Sequence, residues 1–174
     1  MKRFAIPMGA AIICGGGLVG CDREEASLSR HEWLQGGVDQ RLNTLAEQHG
    51  GFSASMREVN ERFHNLYWAG QDQNWEFAAY QLEHMLEALE AGLQRRPERA
   101  ESAQHFLRNV IPDTQESIEA RNLSFFNERI KTMVNNCNTC HALENVPWIP
   151  VSLPRSRSPL MASIPAAPAE NVEE

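Results

Sequence analysis

The chain has 174 residues, with 16 Lys+Arg against 23 Asp+Glu and a formal net charge of −7. Its 22% charged and 42% hydrophobic residues give globular rather than disordered composition, and one domain of this size buries roughly two-thirds of its surface. A net acidic chain without a long basic run is a poor nucleic-acid binder. No apolar run beyond Val19 approaches the ~20 residues of a spanning helix. Scarce β-branched runs, and no glycine after Gly92, argue against a sheet protein.

Residues 1–20 read as an export signal. Lys2 and Arg3 form a positive start, and Phe4 to Val19 is almost uninterrupted apolar and glycine sequence. It closes in Leu18-Val19-Gly20-Cys21, which resembles the lipobox of bacterial lipoproteins. That resemblance implies that Cys21 becomes the first residue, carries the lipid and anchors the chain on the periplasmic side of a membrane. An ordinary secretory signal cut near Cys21 is the competing reading. Asp22 resembles the signal that retains enteric lipoproteins in the inner membrane. Cys14 would leave with the leader, so only Cys137 and Cys140 remain, and no disulfide framework is indicated.

Residues 21–51 read as a tether followed by a leading helix over 31–48, with Leu34, Val38, Leu42 and Leu45 on one stripe. Four stronger helical patterns follow. The first carries Phe52, Met56, Val59, Phe63, Leu66 and Gly70, with a capping box at Ser55 to Glu58 and a stop at Gly70. The second carries Trp75, Ala78, Leu82, Met85, Leu89 and Leu93, and closes at Arg95-Arg96. Pro97 suits the first turn of the third, which shows Ala103, Leu107, Val110 and Ile118 with a kink expected at Pro112. The fourth runs through Phe126, Ile130, Met133, Cys137 and Cys140. Amphipathic helices of this length joined by short turns predict an all-α protein, an antiparallel four-helix bundle over residues 52–146. Six of the nine prolines lie between Pro147 and Pro168, so residues 147–174 are expected as an extended tail over the surface.

The specific motif is Cys137-Asn138-Thr139-Cys140-His141, the spacing of c-type haem attachment. Positions i, i+3 and i+4 share a helical face, so two thiols can reach two vinyl groups while the imidazole turns to the iron. Both cysteines also continue the apolar seam of the fourth helix. A zinc site would need ligands the sequence does not supply nearby. A thioredoxin-type motif would need a βαβ context. A chance match is the third alternative, and the export signal argues against it.

A single such motif near the end of the last of four helices resembles the cytochrome c′-like (class II) c-type cytochromes, over about residues 52–145. Tyr67 to Trp75 is also similar to a stretch of bacterial monohaem proteins of this general shape. The resemblance implies one covalently bound haem c, His141 as proximal iron ligand, electron transfer with a redox partner protein rather than enzymatic catalysis, and a homodimer as the usual assembly. The leading helix, the lipobox and the Pro-rich tail are additions to that pattern.

The sixth iron ligand decides the function. In an up-down-up-down bundle the first helix starts beside the end of the fourth. Met56 lies 15 residues before Gln71 and His141 lies 19 after Asn122, levels that differ by roughly 6 Å at 1.5 Å per residue. Low-spin members of the resembling family take a methionine near the start of this helix, which implies Met56. Ordinary core packing is the plain alternative for a methionine on a seam. Met85, His49, His64 and His84 are further candidates, whereas His31 and His105 suggest no iron contact. With none of these bound, the iron is five-coordinate and the protein a module for nitric oxide or carbon monoxide. Arg95, Arg96 and Arg99 are candidates to meet the propionates, with a solvated basic turn capping helix ends as the competing reading, and Trp148 and Ile149 are candidates to cover the exposed haem edge.

Overall fold

A computed structural model describes residues 33–163, apart from the side chains at 160 and 163. The export signal with Cys14, Cys21 and Asp22, the tether, His31 and residues 164–174 lie outside the described residues. Every regular element among the described residues is helical. The chain divides into two compact units, 1–44 and 45–174.

In the first unit a turn leads into α1 (Val38–Gln48), which continues past the unit boundary. Gly36 holds a positive φ of 93° and its carbonyl accepts from Arg41 Nε at 2.7 Å. The expected stripe is present, but no residue of α1 is buried, and Val38 and Leu42 are more than half exposed. The helix is also shorter at its start than the stripe over 31–48 suggests, because Gly36-Gly37 interrupts it.

In the second unit, α2 (Phe52–Gln71) and α3 (Trp75–Arg95) form a hairpin across a three-residue turn. Gln73 takes the left-handed conformation at φ 54°, and Asn74 caps α3 by accepting from Phe77 N at 3.2 Å. α2 starts at Gly51 without a side-chain cap, so the expected capping box is not there. Ser55 is instead buried within the helix, where its hydroxyl accepts from Arg95 of α3. It faces Gly92, whose missing Cβ would lie 2.9 Å from that of Ser55. Two small residues thus let α2 and α3 approach closely.

Gly70 likewise serves packing rather than termination. The helix runs one residue further, and a Cβ at 70 would stand 2.1 Å from the Phe126 ring. That ring is fully buried and meets Trp75 edge-on at 5.8 Å.

The third helical stretch is composite. A 3₁₀ turn at Pro97–Arg99 leads to α4 (Ala100–His105), a π-helical turn at Phe106–Val110, and α5 (Ile111–Glu119). The interruption expected at Pro112 is realised as this π turn directly before it. A wide turn tolerates the carbonyl that a proline ring would strike and cannot satisfy. It also rotates the seam, so Phe106 rather than Leu107 is buried, joined by Ile111, Thr114 and Ser117. Thr114 and Ser117 satisfy their hydroxyls on the backbone of Val110 and Thr114.

α6 (Leu123–Leu143) opens at Asn122, whose side chain accepts from Phe125 N at 2.9 Å. α2 packs on α3, α3 on α5, α5 and the π turn on α6, and α6 back on α2. Leu66, Leu82, Met85, Phe126, Ile130 and Met133 are the largest buried groups between them. After α6 the chain runs without regular structure to a five-residue helix, α7 (Pro159–Ser163), which packs on α2. The segment after α6 thus ends in a helix whose Met161 is fully inserted in the core.

Candidate functional site

The apolar seams seal at one end of this unit and open at the other. Along α6, Phe126, Ile130 and Met133 are buried, whereas Cys137 and Cys140 are only half-buried. Along α2, Phe63 and Leu66 are buried, whereas Phe52, Met56 and Val59 are not. The residues that lose burial face one cavity of about 520 Å³, within the roughly 300–1,000 Å³ usual for cofactor pockets.

Its walls bring the sequence-derived residues together. Cys137, Cys140 and His141 line it from α6, Met56 lines it from α2, and Met85 from α3. Phe52, Val59, Phe63, Leu89, Ala103 and Phe106 complete an apolar surface. His49, His64, His84 and His105 do not line it. His84 is engaged elsewhere, with Nδ1 2.6 Å from Glu87 and its ring edge-on to Tyr80.

The imidazole of His141 is held in one tautomer. Its Nδ1 is 2.6 Å from the carbonyl oxygen of Ile149. A carbonyl can only accept, so Nδ1 carries a proton, and in the neutral imidazole the lone pair is then on Nε2. That is the arrangement by which metal-binding histidines are oriented and made more basic.

The two thiols are poor nucleophiles. Burial, and secondarily the neighbouring Cys140, push the Cys137 thiol up to about 12. Cys140 is also raised, chiefly by burial, with the Ser102 hydroxyl at 3.8 Å pulling the other way. Thiol–disulfide catalysts need a lowered thiol pKa, so this environment is wrong for the thioredoxin-type reading. Among the described residues no three of His, Cys, Asp and Glu form a metal-holding group, so zinc ligands do not gather around the motif either. Two sulfurs and one bare imidazole nitrogen on an apolar cavity of this size are the donor set that suits a covalently held haem.

The rim is polar. Ser53, Arg57 and Asn60 line it from successive turns of α2, and Arg99 and Glu144 from the other side. Arg99 pairs with Glu144, lies 5.1 Å over the Phe52 ring, and shares Glu144 with the Ser102 hydroxyl. Arg95 and Arg96 do not line the cavity. Arg95 reaches Ser55 and Arg96 folds onto the carbonyl of Arg95. Sequence reasoning thus placed Arg99 well, and missed Arg57, Asn60 and Glu144. Their signal was available, since Ser53, Arg57 and Asn60 flank the Met56 seam at helical spacing.

The tail supplies the remaining wall through Val146, Ile149, Pro150 and Val151. Ile149 lines the cavity although it is itself half-exposed. Trp148 does not, being 74% exposed. Trp75 is core, while Trp68 donates to the carbonyl of Ser156 at 2.9 Å. No helix of the described residues is long and apolar enough to cross a membrane. No family model, curated protein or solved structure matches the chain.

Proposed function

We propose that this protein is an exported monohaem c-type cytochrome of the cytochrome c′-like kind, which carries electrons. The observation that carries the reading is the single cavity lined at once by Cys137, Cys140, His141 and Met56. In this reading α2, α3, the composite helix over 97–119 and α6 make an antiparallel four-helix bundle, supported by their cyclic order of packing.

Cys137 and Cys140 would hold haem c covalently through their sulfurs. His141, through Nε2, and Met56, through its thioether, would be the residues that hold the iron. The bound group supplies a one-electron iron couple, and thioether ligation favours its ferrous state. The chain's own part is to keep water from the apolar walls, to fix the His141 tautomer through Ile149, and to meet the propionates at the rim. Arg57 and Arg99, which both line the cavity, are the cations placed for that role. Cys21 would bear the lipid that tethers the protein to the periplasmic face of the inner membrane.

Absorption spectra of the ferric and ferrous protein test the reading. A low-spin ferrous spectrum with sharp visible bands and slow carbon monoxide uptake supports electron carriage with Met56 bound. A high-spin spectrum with ready uptake turns the conclusion to a five-coordinate module for nitric oxide or carbon monoxide. A matured protein without haem bands refutes both.

A further inference from the structure

The segment after α6 does more than cover a surface. Over residues 146–158 it has no regular hydrogen-bonding ladder, yet it is fastened at three levels. At its start, Val146 N donates to the carbonyl of His141 at 2.8 Å, and Ile149 N donates to that of Val146 at 3.0 Å. This tight turn presents the Ile149 carbonyl to His141 Nδ1. In the middle, Asn138 and Val151 exchange two hydrogen bonds: Asn138 Nδ2 donates to Val151 O at 2.9 Å and Val151 N donates to Asn138 Oδ1 at 2.8 Å. At the far end Arg157 forms a two-pronged pair with Asp72 and lies 4.7 Å over Trp68. Ser158 there donates to Asn65 Oδ1 at 2.8 Å.

The middle fastening is the informative one. Asn138 is the first of the two residues between the cysteines, so the motif that would hold haem also holds the strap. An asparagine side chain offers one acceptor and two donors, and here it mimics a neighbouring strand for Val151. That fixes the strap two residues beyond Ile149, while Pro150 between them restricts the backbone. The carbonyl facing His141 is therefore held from both sides.

We propose that residues 146–158 form a clamp that orients His141, with Asn138 as its positioning residue and the Asp72–Arg157 pair as its distant lock. The proposal rests on the haem reading only for its redox consequence; the clamp itself is a statement about His141 Nδ1. A hydrogen bond from Nδ1 to a carbonyl makes the imidazole a stronger donor, which favours ferric iron and lowers the reduction potential. Opening the clamp removes that bond and should raise the potential. Water reaching the haem would act with the opposite sign, because a polar surrounding stabilises the more charged ferric state.

The test uses the full chain with its haem, in three forms: wild type, Asn138→Asp and Asp72→Asn. Asn138→Asp keeps the size and one acceptor, but removes the amide donor and sets a carboxylate against the Val151 carbonyl. The exchange of the His141 Nδ1 proton with solvent, followed by NMR in the ferrous state, is the primary readout. It should be slow in the wild type, at least tenfold faster in Asn138→Asp, and moderately faster in Asp72→Asn. Trp148→Ala, on the strap but facing solvent, should leave it unchanged. Unchanged proton exchange in both Asn138→Asp and Asp72→Asn overturns the clamp. Should Asn138→Asp not fold, Asp72→Asn decides the matter alone. The Nδ1 proton can be followed in the chain with or without haem, so a failed haem reading and a failed clamp give different results.

Discussion

Two methionines line the cavity, and replacing each in turn separates a ligand from a wall. Met85 is 1% exposed, so Met85→Ala loses nearly all the contacts of a buried side chain and should cost the ~2–5 kcal/mol typical of buried methionine. Met56 is half-buried, so its packing loss should be about half of that, ~1–2.5 kcal/mol on the same scale. At about 2–4 °C per kcal/mol for a chain of this size, Met85→Ala is the more heat-sensitive variant. The spectra should rank the other way. Met56→Ala should turn the iron towards high spin, admit carbon monoxide and lower the reduction potential, because the thioether that favours ferrous iron is gone. Met85→Ala should leave the visible bands as in the wild type. Thermal unfolding and reduced-minus-oxidised spectra, on samples shown to be folded by circular dichroism, make both comparisons. The reasoning is refuted if Met85→Ala changes the spin state while Met56→Ala does not.

The remaining predictions concern the scaffold and the anchor. Gly70→Ala should destabilise by ~1–3 kcal/mol or more through overpacking, since its Cβ would stand 2.1 Å from a ring locked against Trp75; denaturant unfolding checks it, and an unchanged midpoint counts against the close α2–α6 contact. Arg99→Ala strands a partly buried Glu144 at the cavity rim and should cost ~1–2 kcal/mol, less than a fully buried pair because both side chains keep some solvent; Arg99→Ala paired with Glu144→Gln should recover part of the loss. Cys21→Ala should release the protein from membranes or leave its precursor uncleaved, since a diacylglyceryl group anchors by about 0.8 kcal/mol per buried CH₂; a wild type that fractionates as soluble with an unmodified N-terminus contradicts the lipid.

Helix positions and most of the core were legible because apolar spacing alone dictates which face a helix buries. The same spacing puts Met56, Cys137, Cys140 and His141 at one end of the helices. It failed where a residue serves two purposes. Ser55 has the composition of a cap yet is a spacer for Gly92, and Gly70 has the composition of a stop yet makes room for Phe126. At Pro112 the sequence gives the break but not its kind, because only the packed neighbours select a π turn and with it Phe106 over Leu107. The strap was the least legible part. Proline spacing implies extended backbone, but nothing in spacing says that Ile149 offers its carbonyl to His141, or that Asn138 spends its amide on Val151. Backbone partners carry no side-chain signature.

The account stands on covalent haem at Cys137 and Cys140, and intact mass measured under denaturing conditions tests that most directly. The protein, matured in a host competent for cytochrome c assembly, should keep one haem through denaturation and stain for it on a gel, and Cys137→Ser with Cys140→Ser together should abolish both. A wild-type chain that carries only its peptide and lipid mass after such maturation would contradict the account.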